Sequence, residues 1–178
     1  QNFDIVTIDL HSQLLKSLFN IPVRDISAIP QLANEFVDFK ELAIIAPDKG
    51  ASKNAIEFAR YIQNENIFFL TKRRLSDSKI EITPISGKMG KVVVIVDDMV
   101  ASGNTIIEAS KILKSNGVDN IYVAVTHMVY SAGGWKKLSE FPYIKGVFLT
   151  DSICPLINIP SKFRVVSITP VLKKTIFG

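Results

Sequence analysis

A chain of 178 residues has room for one ordinary α/β domain and part of a second, and 47% hydrophobic with 21% charged residues describes a globular protein with a sizeable core. No apolar run approaches the ~20 residues that span a bilayer and no signal peptide precedes the first strand, so the cytoplasm is the expected compartment; the single Cys154 excludes an internal disulfide, and no Cys/His cluster suggests structural zinc. The net charge of +4 is modest, and with no aromatic-interleaved basic stripe it suits phosphorylated small molecules better than nucleic acid.

The chain opens at Gln1, almost at once enters a β-run over residues 4–8, and reads as a fragment whose upstream part is absent. Asp9-Leu10-His11 stands at the carboxyl end of that run. Leu14, Leu15 and Leu18 recur at helical spacing, predicting a helix over 12–19 that stops before Pro22. A histidine placed like His11 is either a structural residue or a ligand, and the local pattern allows both. Residues 23–30 read as a connector with prolines at its flanks, and 31–37 as a helix, with a domain boundary nearby.

Leu42-Ala43-Ile44-Ile45-Ala46 is a strand buried on both faces, followed by the loop Pro47-Asp48-Lys49-Gly50-Ala51-Ser52-Lys53 and a helix over 54–62. The glycine in that loop marks either an ordinary turn or a place where backbone approaches a ligand. Residues 67–70 form a further strand. Three adjacent cations, Lys72, Arg73 and Arg74, then open a polar run that ends in the alternating segment 80–83. Such a run is either a solvated loop or a surface for polyanions.

The most informative stretch is Val92-Val93-Val94-Ile95-Val96-Asp97-Asp98-Met99-Val100-Ala101-Ser102-Gly103-Asn104-Thr105. Five apolar residues without alternation predict a central parallel strand, two carboxylates stand where it is expected to end, and helical spacing resumes at Ile106. A tight loop at a helix N-terminus aims free N–H groups and the positive end of the dipole at one point, which suits a phosphate. The acids repel that phosphate, so they need a polyhydroxylated or cationic neighbour; a sugar phosphate satisfies both halves. The bland alternative makes this an ordinary corner with Asp98 as a cap. Beyond it, a helix stops at Gly117, a strand over 121–127 ends in Thr126-His127, a loop covers 128–134, and a short helix spans 135–139. Strands over 147–150 and 164–168 and a helix over 171–176 complete the series. Strands alternating with helices predict an α/β fold, a parallel sheet flanked by helices.

The central stretch resembles the ribose-phosphate signature of the type I phosphoribosyltransferase fold, most closely as it occurs in the ribose-phosphate pyrophosphokinases. Asp9-Leu10-His11-Ser12-Gln13, Phe19-Asn20-Ile21-Pro22-Val23, Pro47-Asp48-Lys49-Gly50-Ala51, Lys72-Arg73-Arg74 and Thr126-His127 are similar to further segments of that family, in the family's order. The resemblance implies that Asp97 and Asp98 hold the ribose 2- and 3-hydroxyls, and that Ala101, Ser102, Gly103, Asn104 and Thr105 cradle the 5-phosphate. It implies a diphosphate loop at Asp48, Lys49, Gly50 and Ala51, with Ala51 where many members have a second glycine. It also implies Mg²⁺ as cofactor with His11 and Asp48 as its ligands, and a mobile catalytic loop carrying Lys72 and Arg74.

The same resemblance implies a diphosphokinase acting on ATP and ribose 5-phosphate, assembled as a homo-oligomer, with no nucleic-acid or membrane partner. Residues 34–166 would form the phosphoribosyltransferase-type domain, 1–33 a remnant of an ATP-side domain, and 167–178 a segment packing back on that domain. A fragment so divided is expected to bind sugar phosphate without turning over ATP. The rivals are a phosphoribosyltransferase that consumes phosphoribosyl pyrophosphate with a base, and a non-catalytic regulatory paralogue. The Lys-Arg-Arg run and the Asp-Leu-His segment speak against the first, and retention of Lys72, Arg74, Asp97 and Asp98 against the second.

Overall fold

The strand β3 (Leu42–Ala46) is an interior strand of a seven-stranded sheet and is buried along its whole length. The structure, a computed structural model, describes residues 5–72, 80–86, 89–154 and 158–177. In the sheet β3 is flanked by β4 (Ile67–Lys72) and β6 (Val92–Val100), with β5 (Ile80–Ser86) outside β4 and β7 (Asn120–Met128), β8 (Ile144–Thr150) and β9 (Phe163–Val166) continuing beyond β6. All neighbours are parallel except β4 and β5, which pair antiparallel at one edge. This is the helix-flanked parallel sheet that the uninterrupted apolar strands predict.

Alternation within those strands divides the core between two faces. Ala43, Ile45, Val93 and Ile95 point to one side, where Ile106, Ala109 and Leu113 of α3 (Asn104–Ser115) and Leu138 of α4 (Gly134–Glu140) cover them. Leu42, Ile44, Val94 and Val96 point to the other, against α1 (Ile29–Asn34) and α2 (Ser52–Tyr61). Phe36 anchors that second face, with its ring centroid 4.5 Å from Phe148 and 5.5 Å from Phe58. Such aromatic pairs add about 0.5–1.5 kcal/mol each beyond the area they bury.

Several elements depart from the sequence reading, each for a local reason. Residues 23–30 are not a bare connector: β2 (Val23–Ile26) pairs in parallel with β1 (Ile5–Ile8) as a separate two-stranded sheet, and α1 begins at Ile29. Pro30 does not prevent that start, because the first turn of a helix has no use for its missing N–H. The helix expected over 12–19 is a 3-10 segment, Gln13–Leu18. Leu14 and Leu18 stay 78% and 75% exposed, so no buried face supports a full α-helix. Finally, β6 runs through both carboxylates to Val100, because β7 offers ladder partners all the way to Val100↔Met128. The loop after it shrinks to residues 101–103. At the other end of the chain, α5 (Thr169–Phe177) follows β9 and buries none of its residues.

The order of strands fixes where a ligand goes. From β3 the chain passes through α2 to β4 on one side, whereas from β6 it passes through α3 to β7 on the other. The loops after β3 and β6 therefore part company above adjacent strands and leave a crevice at the carboxyl ends, the place where open α/β sheets bind ligands.

Candidate functional site

That crevice is a cleft of about 280 Å³. Asp48, Gly50 and Ala51 reach it from the β3 loop, Asp97 and Asp98 from β6, Ala101, Ser102, Gly103 and Thr105 from the next loop and helix, and His11 from the turn after β1. Segments far apart in sequence converge on one volume. Lys49 instead lines a neighbouring slot of about 770 Å³, together with Ser52, Phe69, Thr71 and Thr105. Asn104 is exposed outside the cleft, and Lys137 of α4 donates to its Oδ1 at 2.8 Å. Lys72 is the last residue of β4, while Arg74 lies outside the described residues.

The loop of residues 101–103 is built for close approach. Gly103 has φ +75°, a left-handed conformation that L side chains rarely adopt, and it forms the N-cap of α3. Gly134 buttresses the loop from behind: its N–H donates to the Ala101 carbonyl at 3.0 Å, and a Cβ there would run into that carbonyl and the Gly103 nitrogen. The sequence reading missed Gly134 and Lys137, since nothing in their own neighbourhood tells which loop they support. The β3 loop is tied more simply, by the Ala51 N–H donating to Asp48 Oδ1 at 3.1 Å.

The two carboxylates of β6 face different surroundings. His11 Nδ1 donates to Asp98 Oδ2 at 2.7 Å across a partly exposed contact. Asp97 Oδ1 accepts the Asp98 N–H at 2.9 Å, yet burial, aided by the nearby charges of Asp98 and then Asp48, pushes its carboxyl up to about 8. The cleft therefore resists a further negative charge at Asp97 and favours hydroxyl donors or a cation there. Since the usual carboxylate value is 3.8, the folded state holds a proton that the unfolded state has lost between that value and about 8. Stability from this group is complete at acid pH and drains away as pH rises toward 8. Melting of the unliganded wild type between pH 5 and 9 is accordingly expected to show a decline with pH that Asp97→Asn flattens; equal slopes would refute the assignment.

Comparison with known proteins agrees with this fold. A family model described as a phosphoribosyl transferase domain matches residues 17–151. The ribose-phosphate pyrophosphokinase of Mycoplasmopsis pulmonis is 35% identical over 177 residues, and that of Thermosipho africanus 32%; each alignment covers 97% of this chain and 55% of the relative. The chain thus spans about half the length of the curated relatives it matches. The crystal structure of phosphoribosylpyrophosphate synthetase from Mycobacterium smegmatis superposes with a TM-score of 0.80 at 25% identity, over 97% of this chain and 57% of that one. The chain belongs to the phosphoribosyl transferase domain family, and within it is similar along nearly its whole length to the ribose-phosphate pyrophosphokinases.

Proposed function

We propose that this chain provides the ribose 5-phosphate side of a ribose-phosphate diphosphokinase, which transfers diphosphate from ATP to the 1-hydroxyl of ribose 5-phosphate and yields phosphoribosyl pyrophosphate and AMP. The observation that carries the reading is one cleft with two unlike ends: a carboxylate pair at Asp97 and Asp98, and the anion-suited loop from Ala101 to Thr105 at the start of α3. The acids orient the sugar hydroxyls, and the loop takes the 5-phosphate. The anomeric oxygen then attacks the β-phosphorus in line, the new O–P bond forms as the bond to the α-phosphate oxygen breaks, and AMP departs. Positioning and charge stabilisation are most of what the protein contributes to such a transfer.

The residues of the cleft fit Mg²⁺ carried with a polyphosphate. Among the described residues no group of three His, Cys, Asp or Glu side chains forms a metal cage. Mg²⁺ is ordinarily held through one or two carboxylates plus substrate phosphates, and the unfavourable negative charge around Asp97 gives a cation reason to enter. His11 and Asp48 are its proposed protein ligands, and bound there it neutralises phosphate charge. Lys49, Gly50 and Ala51 belong to the proposed diphosphate loop, and Lys72 and Arg74 to the group that meets the transferring phosphoryl. Homo-oligomeric assembly and a cytoplasmic setting go with the same proposal. Among the described residues, no helix is long and apolar enough to cross a membrane.

Calorimetric titration of the chain with ribose 5-phosphate and with 2-deoxyribose 5-phosphate tests the sugar assignment. A lost hydrogen bond to a charged carboxylate is worth about 1.5–3 kcal/mol, so the deoxy sugar is expected to bind at least about tenfold more weakly. Equal affinity would overturn the role of Asp97 and Asp98. An assay for AMP release by a protein of the relatives' full length, this chain included, separates the diphosphokinase from a base-using phosphoribosyltransferase, which would release diphosphate. By this reading the 178 residues alone bind the sugar phosphate without releasing AMP.

A further inference from the structure

His11 reaches Asp98 from a turn bonded to the main sheet through Thr126 and His127, residues to which the proposed reaction gives no role. The chain must reverse after Ile8, and it does so with Asp9 at φ +40°, a conformation tolerated by Asp better than by most residues. The Asp9 carboxylate is held from two sides at one oxygen: Thr126 Oγ1 donates to Oδ2 at 2.6 Å, and the Ala28 N–H donates to the same atom at 3.0 Å. Thr126 is fully buried in β7, so its hydroxyl is a fixed anchor. One residue on, His127 Nε2 lies 3.0 Å from the Ile8 carbonyl. A carbonyl only accepts, so Nε2 carries the proton, and Nδ1 pairs with the Ser152 hydroxyl at 2.8 Å. The far side of the turn is fixed by Asp25 of β2, whose Oδ1 accepts the Leu10 N–H at 3.1 Å and the Thr7 hydroxyl at 3.0 Å.

We propose that Thr126 and His127 are positioning residues, which latch the segment carrying His11 to the carboxyl end of β7 and so hold its imidazole against Asp98. Among the described residues β1 and β2 lie in a sheet separate from the main one, and the bonds from Thr126 to Asp9 and from His127 to the Ile8 carbonyl join the start of the turn to β7, so their loss bears directly on where His11 sits. Asp9 is two residues from His11, and Asp98 stands on β6, the strand beside β7. The latch and the imidazole contact therefore close one ring: β7, Asp9, His11, Asp98, β6. The role assigned to His11 in polyphosphate binding rests on the function proposed above; the latch itself does not.

Two measurements on the intact chain keep these apart. Thr126→Val keeps the side-chain volume but removes the donor to a carboxylate, so hydrogen exchange at the Asp9 and Leu10 amides, which are bonded to the Ile26 carbonyl and to Asp25, is expected to quicken by about 5- to 100-fold, with β8 unchanged. Thr126→Ser restores the hydroxyl and the protection, and His127→Ala loosens the same amides if Thr126→Val does not fold. Uniform quickening across the sheet, or none at Asp9 and Leu10, would overturn the latch. Magnesium diphosphate, titrated calorimetrically, supplies the second readout: Thr126→Val and His11→Ala should each weaken it about tenfold, and the double variant no further, because Thr126 acts through His11. Additive losses would overturn the positioning role. Failure of wild-type protein to bind magnesium diphosphate would instead refute the proposed diphosphate site, leaving the latch to be judged by exchange.

Discussion

Replacing Asp98 by Ala in a protein of the relatives' full length is expected to weaken ribose 5-phosphate binding by about 10- to 150-fold while leaving ATP binding within a few-fold. The range follows from losing one hydrogen bond to a charged carboxylate, about 1.5–3 kcal/mol. Asp97→Ala should act in the same direction. Its carboxyl, pushed up to about 8 by burial, must ionise before it can accept from a sugar hydroxyl as a charged group, so part of its contribution is already offset. Asp98 bears the larger share for that reason. It is also the acceptor of His11 Nδ1 at 2.7 Å, so its removal frees the imidazole from the cleft. Inorganic phosphate, which needs only the loop at residues 101–105, serves as the internal control: its affinity should hold or rise when a nearby negative charge is removed. Binding measured separately for ribose 5-phosphate, ATP and phosphate decides the matter, and equal weakening of all three would show that the substitution had merely damaged the fold.

The ease with which parts of this structure can be read from the chain follows from the range of the forces involved. β3 has the bounds its five apolar residues predict, because burial on both faces leaves no competing pattern. The start of β6 is equally plain, but its end is not: Asp97 and Asp98 look like the first residues of a loop, and only the ladder to β7 keeps them extended. β2 escaped notice because Val-Arg-Asp-Ile is short and half polar, and its strand character comes from β1 lying alongside. The same holds for the cleft. Its glycine loop and carboxylate pair are contiguous in sequence and announce themselves, whereas His11 meets Asp98 across 87 positions and Asp9 meets Thr126 across 117. No spacing rule reaches that far. For His11 the family resemblance supplied what local chemistry could not, and the buttress at Gly134 became visible only with the loop it supports.

Lys72→Ala is expected to lower kcat by roughly 10²–10³ in a protein of the relatives' full length, with a much smaller change in KM for either substrate. β4 ends at Lys72, at the same carboxyl end of the sheet as the cleft, and β3, whose loop carries Asp48 and Gly50, is its neighbour in parallel register. The next positions, Arg73 and Arg74, lie outside the described residues and follow Lys72 directly in the sequence. Three neighbouring positive charges repel one another until a polyanion arrives, and charge on the transferring phosphoryl is redistributed most in the transition state. A cation placed for that moment adds more to kcat than to ground-state binding. By analogy with the loss of one preorganised oxyanion donor, about 2.7–4 kcal/mol, the rate should fall by the stated factor. Arg74→Ala should behave alike, and Lys72→Arg should recover part of the rate by keeping the charge while changing its geometry. Steady-state kinetics of the three variants, with folding checked by melting temperature, provides the measurement. If Lys72→Ala and Arg74→Ala both keep near-wild-type kcat, these cations are a solvated surface and the transition-state charge must be met by other residues of the cleft.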